Sequence, residues 1–305
     1  MSLSVLLSTF TNNILPIILL SSAGFALGKV LHIDARSLGR VVFYVFSPVL
    51  IFDLMTKNRL NLKDAAVVIV FTFCIVLTMG ALAYLFGRLL KFERPALIAI
   101  LITTMFANTG NYGLPLVSFA FGEDALPFAA VYFVTTTVLF YTLGVLIASL
   151  GHMNFKEAAL GLFKVPTMYG VLLAILINTW EISIPVPLTR AIDLAAGGTI
   201  PLMLVLLGLQ LTKVEFSNNW RPLQLSVVLR LFIAPVGALI YAALFGLQDL
   251  TRQASITQAS MPSMVSATVL ATEYHLDAKL VTAAVFISTL LSPFTLTPLL
   301  VFLGR

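Results

Sequence analysis

Two short stretches of this chain combine residues that interrupt helices with residues that donate hydrogen bonds. The first is Phe106-Ala107-Asn108-Thr109-Gly110-Asn111-Tyr112-Gly113-Leu114-Pro115, and the second is Gln258-Ala259-Ser260-Met261-Pro262-Ser263-Met264. Pro115 and Pro262 each lack a backbone N–H and clash with the preceding turn, while Gly110 and Gly113 each cost about 1 kcal/mol against Ala in a helix. A helix broken at such a point exposes N–H groups at the positive end of the half that follows, which is a binding site for an anion. Asn108, Thr109, Asn111, Tyr112, Gln258, Ser260 and Ser263 add neutral polar groups, and neither stretch holds a carboxylate that would repel a negative solute. Close helix packing explains an isolated Gly or Ser. It does not explain a polar set with a proline in both halves of the chain.

The elements around these stretches are membrane spans. Of the 305 residues, 59% are hydrophobic and 10% charged, where a soluble domain carries about 25% charge. Runs of about 20 apolar residues, the length a span needs, recur at 12–31, 38–56, 65–87, 95–121, 125–150, 166–180, 190–212, 222–246, 252–274 and 279–303. The sixth is the shortest, from Pro166 to Trp180. The runs are continuous, without the alternation of a β-barrel, so the expected fold is an all-α integral membrane protein of ten helices, with the fourth and ninth broken. The N-terminal run has no Lys or Arg before it and stays apolar to Leu31, which marks a retained span and not a signal peptide. Cys74, the only cysteine, lies in an apolar run, so neither an intramolecular disulfide nor a multi-cysteine metal site is expected. The net charge of +5 is scattered through the loops and forms no nucleic-acid patch.

With the N-terminus outside, eleven basic residues fall on the cytoplasmic side, Lys156, Lys164 and Lys213 among them. Six fall outside: Lys57, Arg59, Lys63, Arg190, Arg252 and Arg305. That asymmetry places both termini on the non-cytoplasmic side of a multi-pass membrane protein. Two landmarks recur at one offset, since Pro48 matches Pro201 and Asp124-Ala125 matches Asp277-Ala278, both 153 residues apart. Residues 1–150 and 151–305 are therefore expected to be two five-span repeats, inverted because an odd number of crossings reverses the second copy.

Ionisable residues within spans are functional candidates. Arg230 suits a counter-charge for an anion or a partner for an acid, and Asp53 and Asp193 are either coupling residues or interfacial ones. His275 is either a pH reporter or a solvated loop residue. The chain has no phosphate-binding Gly-x-x-x-x-Gly-Lys-Ser/Thr loop, no His-Glu-x-x-His and no Gly-x-Ser-x-Gly, which argues against a primary pump and an intramembrane enzyme. The function expected is secondary transport of a small organic anion with no cofactor, a channel being the less favoured alternative. Sodium coupling through Asn108, Gln258 and nearby carbonyls, or proton coupling through Asp53, Asp193 or His275, both stay open.

Asn108-Thr109-x-x-x-Gly113-Leu114-Pro115-Leu116 resembles the Asn-Thr-x-x-x-Gly-Ile-Pro-Leu of the auxin efflux carrier family, within the bile-acid/sodium symporter superfamily. Gln258-Ala259-x-x-Pro262 followed by Glu273-Tyr274 resembles that family's second motif. The resemblance implies that spans four and nine cross at their prolines and that a substrate carboxylate binds beside the crossing with Asn108. It also implies a scaffold panel, a transport panel, elevator-type alternating access and homodimers. The chain departs from many plant members in joining spans five and six by only about 15 residues, Gly151 to Val165. Auxin itself as substrate is accordingly not implied.

Overall fold

A computed structural model describes residues 2–58, 61–149, 165–212 and 219–304. The linker after Ala148 therefore lies mostly outside the described residues, as do Arg59, Lys156, Lys164, Lys213 and Arg305. The described chain is helical, and its one β feature is an isolated bridge between Ala107 and Ser263. Seven helices are long and apolar enough to cross a membrane: α1 (Leu3–Val30), α2 (Ala35–Lys57), α3 (Leu62–Leu89), α6 (Glu123–Ala148), α8 (Val186–Gln210), α9 (Trp220–Leu244) and α12 (Ala278–Leu303). Among the described residues five shorter helices accompany them: α4 (Arg94–Met105), α5 (Leu114–Phe121), α7 (Pro166–Thr179), α10 (Asp249–Ala259) and α11 (Ser266–Glu273).

Local chemistry sets several of the ends. Asp34 accepts hydrogen bonds from the amides of Arg36 and Ser37 at the start of α2, and Asn61 and Asp277 cap α3 and α12 in the same way. α1 starts well before the apolar run at residue 12, because its hydroxyls do not have to stay in water. Ser8 and Thr11 donate to carbonyls three and four residues back in their own helix. Four π-helical turns, Phe10–Ile14, Val42–Phe46, Thr109–Gly113 and Leu229–Ile233, are each followed two residues later by a proline: Pro16, Pro48, Pro115 and Pro235. A proline ring clashes with the carbonyl four residues back, and the wider turn moves that carbonyl aside.

The helices pack as two groups. In the first, α1 lies along α8 at a seam of small residues, where Gly24 meets the Val205 carbonyl and Gly208 meets the Ser21 carbonyl. α7 closes on α2, with Gly170 against Pro48 and Asn178 Nδ2 donating to the Met55 carbonyl at 2.8 Å. The second group is α3 to α6 and α9 to α12, built on Phe71, Ile75, Tyr132 and Ile256 in one cluster and on Ile102, Phe106, Phe140 and Val281 in another. Apolar contact joins the groups through Ile51, Leu114, Val117 and Met203, and through Ile17, Leu116, Leu204 and Met261. The outer surface carries large apolar side chains, Leu194 and Phe294 among the most exposed. A bilayer solvates such a surface, whereas in water it would aggregate.

At Gly208 a side chain would run into the backbone of α1, while a Cβ on Gly197 in the same helix meets nothing within 4 Å. Gly208→Val is therefore expected to cost about 1–3 kcal/mol of stability through overpacking. Gly197→Ala should be neutral, and thermal unfolding of both variants in detergent checks the contrast.

Candidate functional site

α4 stops at Met105 because the next residue, Phe106, is extended (φ −108°, ψ 120°). The segment after α10 runs antiparallel to it. Asn108 N donates to the Pro262 carbonyl at 2.8 Å and Met264 N to the Phe106 carbonyl at 2.9 Å, on either side of the Ala107–Ser263 bridge. Four helix ends thus meet at one two-stranded crossing: α4 and α10 end there, and α5 and α11 begin there. Pro115 sits in the first turn of α5, as expected of a residue that pre-sets the helical φ. Pro262 has a different place. It lies in the extended segment itself, and α11 starts only at Ser266.

Helix C-termini leave carbonyls without intrahelical donors, and here side chains supply the donors. The Thr103 carbonyl accepts from Ser263 Oγ at 2.8 Å, and the Thr104 carbonyl accepts from Arg230 Nη1 at 2.9 Å. At the end of α10 the Ala259 carbonyl accepts from Arg230 Nη2. Arg230, in the π turn of α9, is wholly buried, and among the described residues no carboxylate pairs with it. Ser288 Oγ accepts from the Ser263 amide at 3.1 Å, and the Ser226 hydroxyl lies 2.7 Å from that of Thr103.

Several side-chain polar atoms at the crossing are buried without a partner: Asn108 Nδ2, Thr109 Oγ1 and Gln258 Oε1, and also Thr104 Oγ1 and Arg230 Nε. Leaving a buried polar group unpaired costs about 1–3 kcal/mol, which makes the crossing a candidate site for a solute. Gln258 Nε2 is held by the Ala129 carbonyl at 3.2 Å, and the side chain passes over Gly113, where any Cβ would collide with its amide oxygen. Gly110 leaves room for the Phe133 ring. Asn111 Nδ2 donates to Gln210 Oε1 at 3.2 Å, and Tyr112 accepts from Ser292 Oγ at 3.1 Å. Ser260 turns back onto its own helix, donating to the Ile256 carbonyl at 2.7 Å, so its hydroxyl is already engaged.

Two cavities flank these elements. One, of about 210 Å³, reaches the crossing at Tyr112 and is walled by α1, α8 and α12 through Ile17, Ser21, Phe25, Leu207, Phe286 and Pro293. The other, of about 490 Å³, contains no residue of the crossing; it is lined by Asp53, Lys57, Asn178 and Glu181. The larger one suits an anion poorly, because two carboxylates face it and a single cation. Lys57 Nζ pairs with Asp53 at 2.9 Å and with Asp193 at 2.8 Å, so the two acids form an ion-paired group apart from the crossing. The i, i+4 spacing of Asp53 and Lys57 was the available signal for that pair. Thr103, Thr104, Ser226, Ser288 and Ser292 escaped the reading of the sequence, although the adjacent Thr103 and Thr104 are a polar pair just before the break.

A family profile described as "Membrane transport protein" matches residues 9–159 and 152–300. The chain is 29% identical over 287 residues to an uncharacterized transporter of Methanothermobacter thermautotrophicus, covering 92% of this chain and 94% of the relative. It is 28% identical over 271 residues to an uncharacterized transporter of Methanocaldococcus jannaschii, covering 85% and 86%. A Rhizobium meliloti protein named "Putative malonate transporter" is 24% identical over 310 residues, covering 96% of each.

Gly113→Ala would push the Gln258 amide out of its place while leaving helix propensity improved. At least a tenfold loss of solute uptake into proteoliposomes is expected, equivalent to about 1.4 kcal/mol at the site, with a circular dichroism spectrum unchanged from the parent.

Proposed function

The chain belongs to the membrane transport protein family that matches it from residue 9 to residue 300, and from that premise we propose that it is a secondary transporter of a small organic anion. The crossing carries this reading. Two helices begin beside three buried polar atoms that lack partners, in a region with no carboxylate. Helix N-termini carry roughly half a positive charge each. Asn108 Nδ2 supplies a hydrogen-bond donor to a carboxylate oxygen, Thr109 Oγ1 a second, and the amides of Gly110, Asn111 and Tyr112 in the first turn that follows add further ones. The small, mostly apolar cavity beside Tyr112 then takes the body of the solute.

In this reading α4 with α5 and α10 with α11 are two interrupted spans, which brings the bundle to ten spans in two inverted halves. Thr199 Oγ1 donates to the Phe46 carbonyl at 3.3 Å across a sequence separation of 153. That separation equals the offset between Pro48 and Pro201, and a residue that meets its own counterpart lies on a pseudo-two-fold axis. α1, α2, α7 and α8 form the scaffold, and the other group carries the crossing and moves against it. The apolar contacts between the groups favour a sliding, elevator-type motion, since no network of buried charges has to be broken. Homodimer assembly follows from the family resemblance, and the outward placement of both termini follows from the loop charges. The named function of the Rhizobium meliloti relative makes malonate the first solute to test.

Asn108→Ala removes the donor without disturbing the backbone bond from Asn108 N to Pro262. Purified parent protein is expected to gain thermal stability with malonate or another carboxylate of a panel, by about 2.7 kcal/mol at a hundred times Kd. The variant should melt like the parent without solute and gain nothing from it. Equal gains in parent and variant would remove Asn108 from the site.

A further inference from the structure

Arg230 is the one fully buried charged side chain among the described residues, and its surroundings are unusual. Where a buried guanidinium ordinarily meets a carboxylate, this one meets the last turns of two helices, Thr104 in α4 and Ala259 in α10. Each helix C-terminus carries roughly half a negative charge, so two of them together match the single positive charge of Arg230. Converging carbonyls at the ends of interrupted helices are also the kind of site at which transporters hold a coupling sodium ion. The π turn Leu229–Ile233 turns Leu229, Arg230 and Leu231 inward while Phe232 and Ile233 face outward. That turn is the one that makes room for Pro235, and it leaves Arg230 on the inner face of α9.

We propose that Arg230 is a resident cation: its guanidinium fills the place between the ends of α4 and α10 that a coupling sodium ion would otherwise take, so the crossing works without a bound metal ion. The inference rests on the crossing being the transport site. Arg230 is on this account a positioning residue. It fixes the two C-terminal ends and thereby the strands that carry Asn108, and its charge is spent on carbonyls and not on the solute.

The test is thermal unfolding of the purified protein in detergent, in sodium chloride against choline chloride at equal ionic strength, with no solute added. Parent protein should melt at the same temperature in both salts. Arg230→Gln should melt lower than the parent in choline and recover part of the difference in sodium, because the freed carbonyls then accept a metal ion. Arg230→Lys, which keeps the charge but not the fork, should stay close to the parent and show no response to sodium. A sodium-specific rise in the parent would overturn the proposal, as would Arg230→Gln melting like the parent or falling without any sodium recovery. Should Arg230→Gln fail to fold, the parent and Arg230→Lys still decide the matter, since a sodium response in either rejects a filled site. None of these readings needs a transported solute, so they stand apart from the outcome at Asn108.

Discussion

Where water is absent, every backbone N–H and C=O has to find a partner inside the protein, and the architecture of this bundle is largely a response to that requirement at one place. Continuous helices meet it without help. The stretches around Phe106 and Pro262 do not, and the two solve the problem for each other by pairing as strands. What the strands leave open at the ends of α4 is closed by Ser263 and Arg230, and Ser288 holds the Ser263 amide in turn. Residues from α4, α9, α10 and α12 are thus committed to a crossing only a few residues long.

The commitment is lopsided. The carbonyls of Thr103, Thr104 and Ala259 at the two C-terminal ends are satisfied by donors from the protein, whereas side-chain atoms of Asn108, Thr109, Gln258, Thr104 and Arg230 stay without partners. Negative helix ends can be neutralised by a cation tethered to a neighbouring helix, and in the proposed function the positive ends are left to the solute. Small residues serve the same arrangement: Gly113 makes space for Gln258, and Gly110 for Phe133.

Much of this was legible in the chain because helix breakers and polar residues are conspicuous in an apolar run. The apolar bodies of the long helices could be located from residue types alone. The linkage at the crossing could not, since the bonds that matter join residues far apart in sequence: Thr103 with Ser226, Ser263 with Ser288, and Arg230 with Thr104 and Ala259. Serine and threonine abound in membrane helices, and nothing local distinguishes one that bonds its own helix, as Ser260 does, from one that braces another, as Ser263 does. A charge such as Arg230 announces that it needs a partner without saying which. Carbonyl groups belong to every residue and so cannot be singled out by reading. The prolines misled in a subtler way, because Pro115 opens a helix and Pro262 lies within a strand although both punctuate a break.

The π turns have one more consequence, which concerns how the chain tolerates changes of length. Each of these turns holds a surplus residue relative to a regular helix, and a helix advances about 100° per residue. Removing one residue from Leu229–Ile233 would restore an ordinary helix with the flanking turns of α9 close to their present register, and would take away the bulge that holds Arg230 inward and makes room for Pro235. A residue lost at this turn would therefore alter the local fit of Arg230 and Pro235, whereas one lost from a regular stretch of α9 would turn one flank by about 100° against the other.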